Sequence, residues 1–198
     1  SLIHDDLPCM DNDDFRRGKP SLHKAFPEGV ALLTGDFLLT FAFEVLAKAP
    51  FLLDNQKLRL IQILSAAAGG LGMIGGQVKD LLALHHTMQE EELLFIHKGK
   101  TAALFSASMQ FGGVIANCNQ EQLELLTKIG NTYGLAYQLQ DDLDDETEEK
   151  EEPNAVHLLG KDEVKLRLFK MHKTLHHLIE QLPFNTDSLK TILFAHPS

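Results

Sequence analysis

Two short stretches of this chain gather carboxylates more tightly than an ordinary protein surface does. Asp5, Asp6, Asp11, Asp13 and Asp14 crowd the first, and DDLDDETEEKEE, from Asp141 to Glu152, makes the second. Together they hold 14 of the 28 acidic residues, with Lys150 the only base inside either. Like charges about 4 Å apart repel by roughly 4 kcal/mol at an effective dielectric near 20. A solvated loop relieves that repulsion by spreading, but a helix cannot. Asp141 and Asp145 stand at i and i+4, so they share one helix face with Asp142 beside them and Gln138 a turn earlier. The C-terminal end of a helix favours bases, so acids there act against the dipole and await a cation. Compact oxygen ligands suit Mg²⁺, which keeps part of its water and shares its shell with substrate phosphates. The run 146–152 reads instead as a solvated acidic tail.

The first cluster runs directly into Arg16, Arg17 and Lys19. Metal-gathering acids beside guanidinium forks matched to phosphate oxygens describe a site for a metal-bound diphosphate. Lys100 and Thr101, in IHKGKTAALF, offer an ammonium and a hydroxyl where the sequence pattern starts a helix, a favourable place for an anion. GQVKDL sets Gln77 and Asp80 on a helix whose apolar face is Val78, Leu81 and Leu82. Taken singly, each of these is a surface ion pair or a core feature. Their joint presence is what suggests chemistry.

The elements that must carry these groups are helical. Apolar periodicity predicts helices over 30–49, 55–68, 76–84, 89–97, 101–116, 120–145, 161–182 and 186–194, and no alternating strand pattern persists. Pro8 ends or kinks the helix entering the first cluster, and Pro50 and Pro183 stop two others. GGLGMIGG, with its small residues, would allow close backbone approach. At 198 residues, 44 % of them hydrophobic, the chain fits a single domain over 1–198 with a sizeable core. Its net charge of −10 argues against nucleic acid as a partner. Cys9 and Cys118 supply no disulfide framework, which fits a reducing, cytoplasmic setting, and no signal peptide is visible. The apolar stretch 30–53 is broken by Asp36, Glu44 and Lys48, so no transmembrane segment is expected. His85–His86 and His176–His177 form no metal-ligand spacing with cysteine, which disfavours zinc.

These motifs resemble those of the trans-isoprenyl diphosphate synthases, also called polyprenyl synthetases. SLIHDDLPCMDNDDFRRGKPSLHK is similar to their first aspartate-rich motif in its DDxxxxD form, and YQLQDDLDD to their second, DDxxD. Gly35–Asp36, the GQxxD of 76–80 and the KT of Lys100–Thr101 fall between them in family order. The resemblance runs from residue 1 to about residue 160 and is strongest to geranylgeranyl and farnesyl diphosphate synthases. It implies an all-α isoprenoid-synthase bundle around a central cavity, working as a homodimer, with Phe37 to Phe43 facing the dimer interface. Asp5, Asp6 and Asp11 would hold Mg²⁺ on one wall, and Asp141, Asp142 and Asp145 on the facing wall. Arg16, Lys100, Thr101 and Gln138 would bind an allylic diphosphate, and Arg17 isopentenyl diphosphate. Ionisation of the allylic C–O bond, attack by isopentenyl diphosphate and proton loss to the departing diphosphate would then lengthen the prenyl chain.

Three departures from the family pattern bear on this, one of them the unusually dense acidic tract beyond Asp145. The helices that the family carries upstream, with further isopentenyl diphosphate ligands, are absent, so the chain reads as a fragment. EEPNAVHLLG also puts Glu152 and Asn154 where the family has the Lys and Thr of GKxT. The alternatives are a non-catalytic partner subunit of a prenyl diphosphate synthase and a class I terpene cyclase. The cyclase is disfavoured by the presence of two aspartate-rich motifs.

Overall fold

A computed structural model describes residues 1–83, 87–145 and 154–194. Within them the chain is helical, as its periodicity predicts, and it clusters into two compact units, residues 1–61 and 62–198.

In the first unit, α1 (Leu2–Asp5) leads into a tight loop and then a pair of two-residue strands, β1 (Phe15–Arg16) and β2 (Lys19–Pro20). Phe15 pairs with Pro20 and Arg16 with Lys19, antiparallel. The alternation test misses this hairpin because two residues are too few to show a period. Its turn places Arg17 at φ 53° and Gly18 at φ 73°, two successive left-handed residues. This matches the twist of a two-residue hairpin but strains a side chain such as arginine. The hairpin is followed by α2 (Leu22–Ala25) and α3 (Glu28–Lys48). α3 begins after Pro27 and ends just before Ala49–Pro50, where the residue preceding proline leaves the helical region. His4 packs on α3, its Nε2 lying 3.0 Å from the Leu32 carbonyl and 3.5 Å from Asp36 Oδ1. A Cβ at Gly35 would overlap the His4 ring, which explains the glycine before Asp36.

α3 departs from one expectation. Its 21 residues, at 1.5 Å each, reach about 31 Å, close to the thickness of a bilayer's hydrocarbon core. By length and composition it could cross a membrane despite its four charged residues, and so could the run Asp54–Ala83. Leu33, Phe37 and Val45 of α3 are exposed.

α4 (Asp54–Ala68) contains the division between the units. The second unit continues with α5 (Met73–Ala83), α6 (Glu90–Ile96), a π-helical turn (His97–Ala102), α7 (Ala103–Ile115), α8 (Gln120–Asp144), α9 (Ala155–Leu159), α10 (Lys161–Glu180) and α11 (Asp187–Leu193). The 25-residue α8 is the central element, opened by a capping box in which Asn119 and Gln122 satisfy each other's backbone N–H groups. Leu126 and Ile129 of α8 pack with Leu175 and Ile179 of α10 and Leu193 of α11. Further along α8, Leu139 packs with Leu93, Val156 and Val164. α7 and α8 approach closely because α8 offers glycine at the crossing. Added Cβ atoms at Gly130 and Gly134 would fall 2.5 Å from the Cα atoms of Ser106 and Ala102.

Candidate active site

The aspartates of the first cluster are held by the loop after α1. The Asp11 N–H donates to the Asp5 carbonyl at 2.9 Å, and the Asn12 N–H to Leu7 at 3.1 Å, with Asn12 left-handed at φ 52°. Asp5 and Asp11 are half-buried, whereas Asp6 is only 3 % exposed. Arg16 supplies the countercharge: its Nε donates to Asp6 Oδ1 at 2.8 Å, its Nη2 contacts the same oxygen, and Asp13 lies 3.6 Å away. The hydrogen bond to Asp6 raises the Arg16 pKa above its ordinary value. Arg16, expected to grip a diphosphate, is thus bound to the buried Asp6 in this structure. Arg17 is exposed at the hairpin turn.

In the second unit a polar chain links three elements. The Thr101 hydroxyl donates to Gln138 Oε1 at 2.7 Å, and Gln138 Nε2 donates to Asp142 Oδ1 at 3.0 Å. Asp142 Oδ2 accepts the Ala155 N–H at 2.8 Å. Lys100 Nζ bonds Asp80 Oδ2 at 2.5 Å, so the Asp of GQxxD orients the Lys of KT. Lys100 and Thr101 do not open a helix, as the sequence pattern suggested. α6, the π turn and α7 run on continuously from Glu90 to Ile115. The charge of a free helix N-terminus is therefore not available to an anion there. A π turn instead widens the helix by one residue, a distortion frequent at functional sites. Glycine makes room for it: a Cβ at Gly76 would overlap the Lys100 backbone, and one at Gly99 would meet Gly72 O at 2.7 Å.

His97 was not among the expected site residues. It is buried within the π turn, its Nε2 3.5 Å from Asp142 Oδ2. Burial pushes its pKa down, against the opposing pull of Asp142 and Asp80. Its position three residues before Lys100 in IHKGKT was the available signal.

Asp141 is exposed near the end of α8 and Asp145 ends the helix, its N–H donating to the Asp141 carbonyl at 2.9 Å. Desolvation first, and then the charges of Asp145, Asp142 and Asp144, hold the Asp141 carboxyl above the usual carboxylate range. Among the described residues, no three His, Cys, Asp or Glu side chains form a closed metal cage. The donor set still fits Mg²⁺, because that ion binds through one or two carboxylates and completes its shell with water and phosphate oxygens. The tail 146–152, with Lys150 and Glu152, and the His85–His86 pair lie outside the described residues. Asn154 is described. It caps α9, its Oδ1 accepting the Val156 N–H at 2.7 Å.

A cavity of about 530 Å³ opens beside Met109, Gln122 and Phe184. Gln122 precedes Asp141 by nineteen residues of α8, or roughly 28 Å of helix, so this space is remote from the aspartates at the end of α8.

Comparison with known proteins agrees with the motif order. The polyprenyl synthetase family model matches residues 1–162. The chain is 40 % identical over 201 residues to farnesyl diphosphate synthase of Haemophilus influenzae, covering 94 % of this chain and 68 % of that protein. It is 44 % identical over 155 residues to a chloroplastic geranylgeranyl pyrophosphate synthase of Arabidopsis thaliana, covering 77 % of this chain and 45 % of that protein. The chain thus spans between about half and two thirds of the length of these relatives. The crystal structure of Helicobacter pylori geranyltransferase, complexed with magnesium and isoprenyl diphosphate, superposes with a TM-score of 0.87 at 34 % identity. That match covers 98 % of this chain and 70 % of the other.

Proposed function

This chain belongs to the polyprenyl synthetase family, and on that premise we propose that it takes part in condensing isopentenyl diphosphate with an allylic diphosphate to give a short-chain prenyl diphosphate. The observation that carries the reading is the charge imbalance at the end of α8, where the charges acting on Asp141 are other aspartates. A folded protein keeps such an arrangement when a cation joins it. Bound Mg²⁺ would neutralise the leaving diphosphate, and the candidate ligands are Asp5, Asp6 and Asp11 in the first motif and Asp141, Asp142 and Asp145 in the second. Lys100, already oriented by Asp80, adds positive charge for the developing diphosphate anion. Thr101 and Gln138 add a hydroxyl and an amide held in fixed relation. Arg16 would serve the diphosphate by leaving Asp6 or by using its outer N–H groups, and Arg17 would serve isopentenyl diphosphate. The residues 1–198 are read as one isoprenoid-synthase domain, supported by the 98 % coverage of this chain in the structural match.

A homodimer built on α3 is part of the same reading. Leu33, Phe37, Phe41 and Val45 present an exposed apolar row, and Phe37 and Phe41 stack at 5.3 Å. We place the protein in the cytoplasm, supported by its two free cysteines, with α3 serving as an association face in place of a membrane span.

The test is incubation with isopentenyl diphosphate, farnesyl or geranyl diphosphate and Mg²⁺. A longer prenyl diphosphate is expected, and it should vanish with EDTA and in Asp5→Ala or Asp141→Ala. Absence of product in the presence of metal argues against catalysis. A second reading, a non-catalytic partner subunit, draws on the engagement of both Arg16 and Lys100 by this chain's own carboxylates. It predicts co-purification with an active homologue, and product unaffected by those two substitutions.

A further inference from the structure

The two adjacent aspartates Asp141 and Asp142 have opposite surroundings. Asp141 is exposed, while Asp142 is 5 % exposed and has both carboxylate oxygens in use. Oδ1 accepts from Gln138 Nε2 at 3.0 Å, and Oδ2 accepts the backbone N–H of Ala155 at 2.8 Å. Its backbone carbonyl accepts Asn154 Nδ2 at 3.1 Å. His97 Nε2 lies 3.5 Å from Oδ2 and covers it from the π turn. Ala155 is the first residue of α9, so its N–H has no partner within that helix and would be left orphaned in the interior. Asp142 satisfies it while Asn154 satisfies Val156, and together they cap α9. A Mg²⁺ ligand must instead face an ion that keeps several waters.

We propose that Asp142 is a positioning residue rather than a metal ligand: it latches α8 to α9 and orients Gln138, and through Gln138 the Thr101 hydroxyl. Cation binding falls to its neighbour Asp141, a part of the proposal that rests on the function inferred above. The latch itself does not. Asparagine at 142 can reproduce the latch, because its oxygen accepts from Ala155 and its amide donates to a turned-over Gln138. Alanine cannot.

The variants Asp141→Asn, Asp142→Asn and Asp142→Ala separate the roles. The first readout is Mn²⁺ binding to the protein, followed by electron paramagnetic resonance of the free ion. Asp141→Asn should weaken it about 100-fold, and Asp142→Asn less than about tenfold, the residue being loss of a nearby charge. The second readout is hydrogen exchange at the Ala155 amide, which should quicken in Asp142→Ala and return toward the parent rate in Asp142→Asn. The third is a double-variant cycle on kcat/KM, in which Asp142→Ala and Gln138→Ala together cost no more than the worse of the two alone. Loss of Mn²⁺ in Asp142→Asn as severe as in Asp141→Asn overturns the proposal, as does unchanged Ala155 exchange in Asp142→Ala or additivity in the cycle. If Mn²⁺ binding ignores both asparagine variants, the metal reading of the function fails, and the latch stands or falls on the other two measurements.

Discussion

The Thr101 hydroxyl donates to Gln138 Oε1 at 2.7 Å, tying the π turn to α8 across 37 residues of sequence. The bond aligns two helices and positions two of the polar groups assigned to the diphosphate. Thr101→Val keeps the shape but leaves Gln138 Oε1 without its donor, a cost of about 1–3 kcal/mol for a group that stays desolvated. Thermal unfolding and kcat/KM should both show the loss, and Thr101→Ser should recover most of it.

Asp141 offers a test of the cation. Its raised pKa means that the folded state disfavours its ionised form, so its charge at neutral pH lowers stability. Asp141→Asn is expected to unfold at a higher temperature than the parent at pH 7 with EDTA present. Adding Mg²⁺ with inorganic pyrophosphate should raise the parent's midpoint and leave the variant's nearly unmoved. A variant that is less stable than the parent in EDTA contradicts this.

The Arg16–Asp6 pair predicts a structural penalty separate from catalysis. Arg16→Ala leaves a carboxylate buried without its guanidinium, which costs about 3 kcal/mol, at the low end for a buried pair because Arg16 is a third exposed. The double variant Arg16→Ala/Asp6→Asn should regain part of that loss in chemical denaturation without regaining activity.

Glycines on neighbouring helices should respond in opposite directions. Gly76→Ala drives a methyl into the Lys100 backbone and is expected to destabilise by about 1–3 kcal/mol, disturbing the π turn as it does so. Gly112→Ala meets nothing within 4 Å and should stabilise α7 by roughly 0.5–1 kcal/mol. Denaturant midpoints for the pair check both signs.

His172 predicts an acid-sensitive packing of α11 on α10. Its ring contacts Phe194, and burial, then the nearby His176, lowers its pKa. A base with a lowered folded pKa contributes stability that is present above its unfolded value. That contribution is lost as pH falls from the unfolded value, near 6.5, toward the folded one. The melting temperature should therefore drop between pH 7.5 and 5.5, and drop less in His172→Gln. An equal drop in the variant assigns the effect elsewhere.

Much of the architecture is legible from period and punctuation. The apolar repeat at helical spacing, with Pro50 after it, bounds α3 to within two residues of its expected extent, because proline removes a donor and restricts its predecessor. The expected start of α8 at residue 120 matches the observed Gln120, where the structure shows a capping box at Asn119. What period could not reveal was the continuity of α6 into α7. A π turn has no pattern of its own, and Lys100–Thr101 follow a glycine that looks like a boundary. The hairpin at Arg16–Lys19 was hidden for a similar reason: its signal is two residues in the left-handed region.

At the site, the sequence by itself determined which chemistry is possible. Aspartates at i and i+4, arginines following acids and a Lys–Thr pair are statements about residue type and spacing, and local helix geometry converts them into shared faces. Tertiary structure decided which of two identical neighbours does what. Asp5 and Asp6, or Asp141 and Asp142, are equivalent as letters, yet one step along a helix turns a side chain by about 100°, from solvent into the interior. That rotation buries Asp6 against Arg16 and Asp142 against Ala155, and leaves Asp141 exposed. The partners arrive from 10 and 13 residues away, a separation over which spacing carries no information and packing alone chooses.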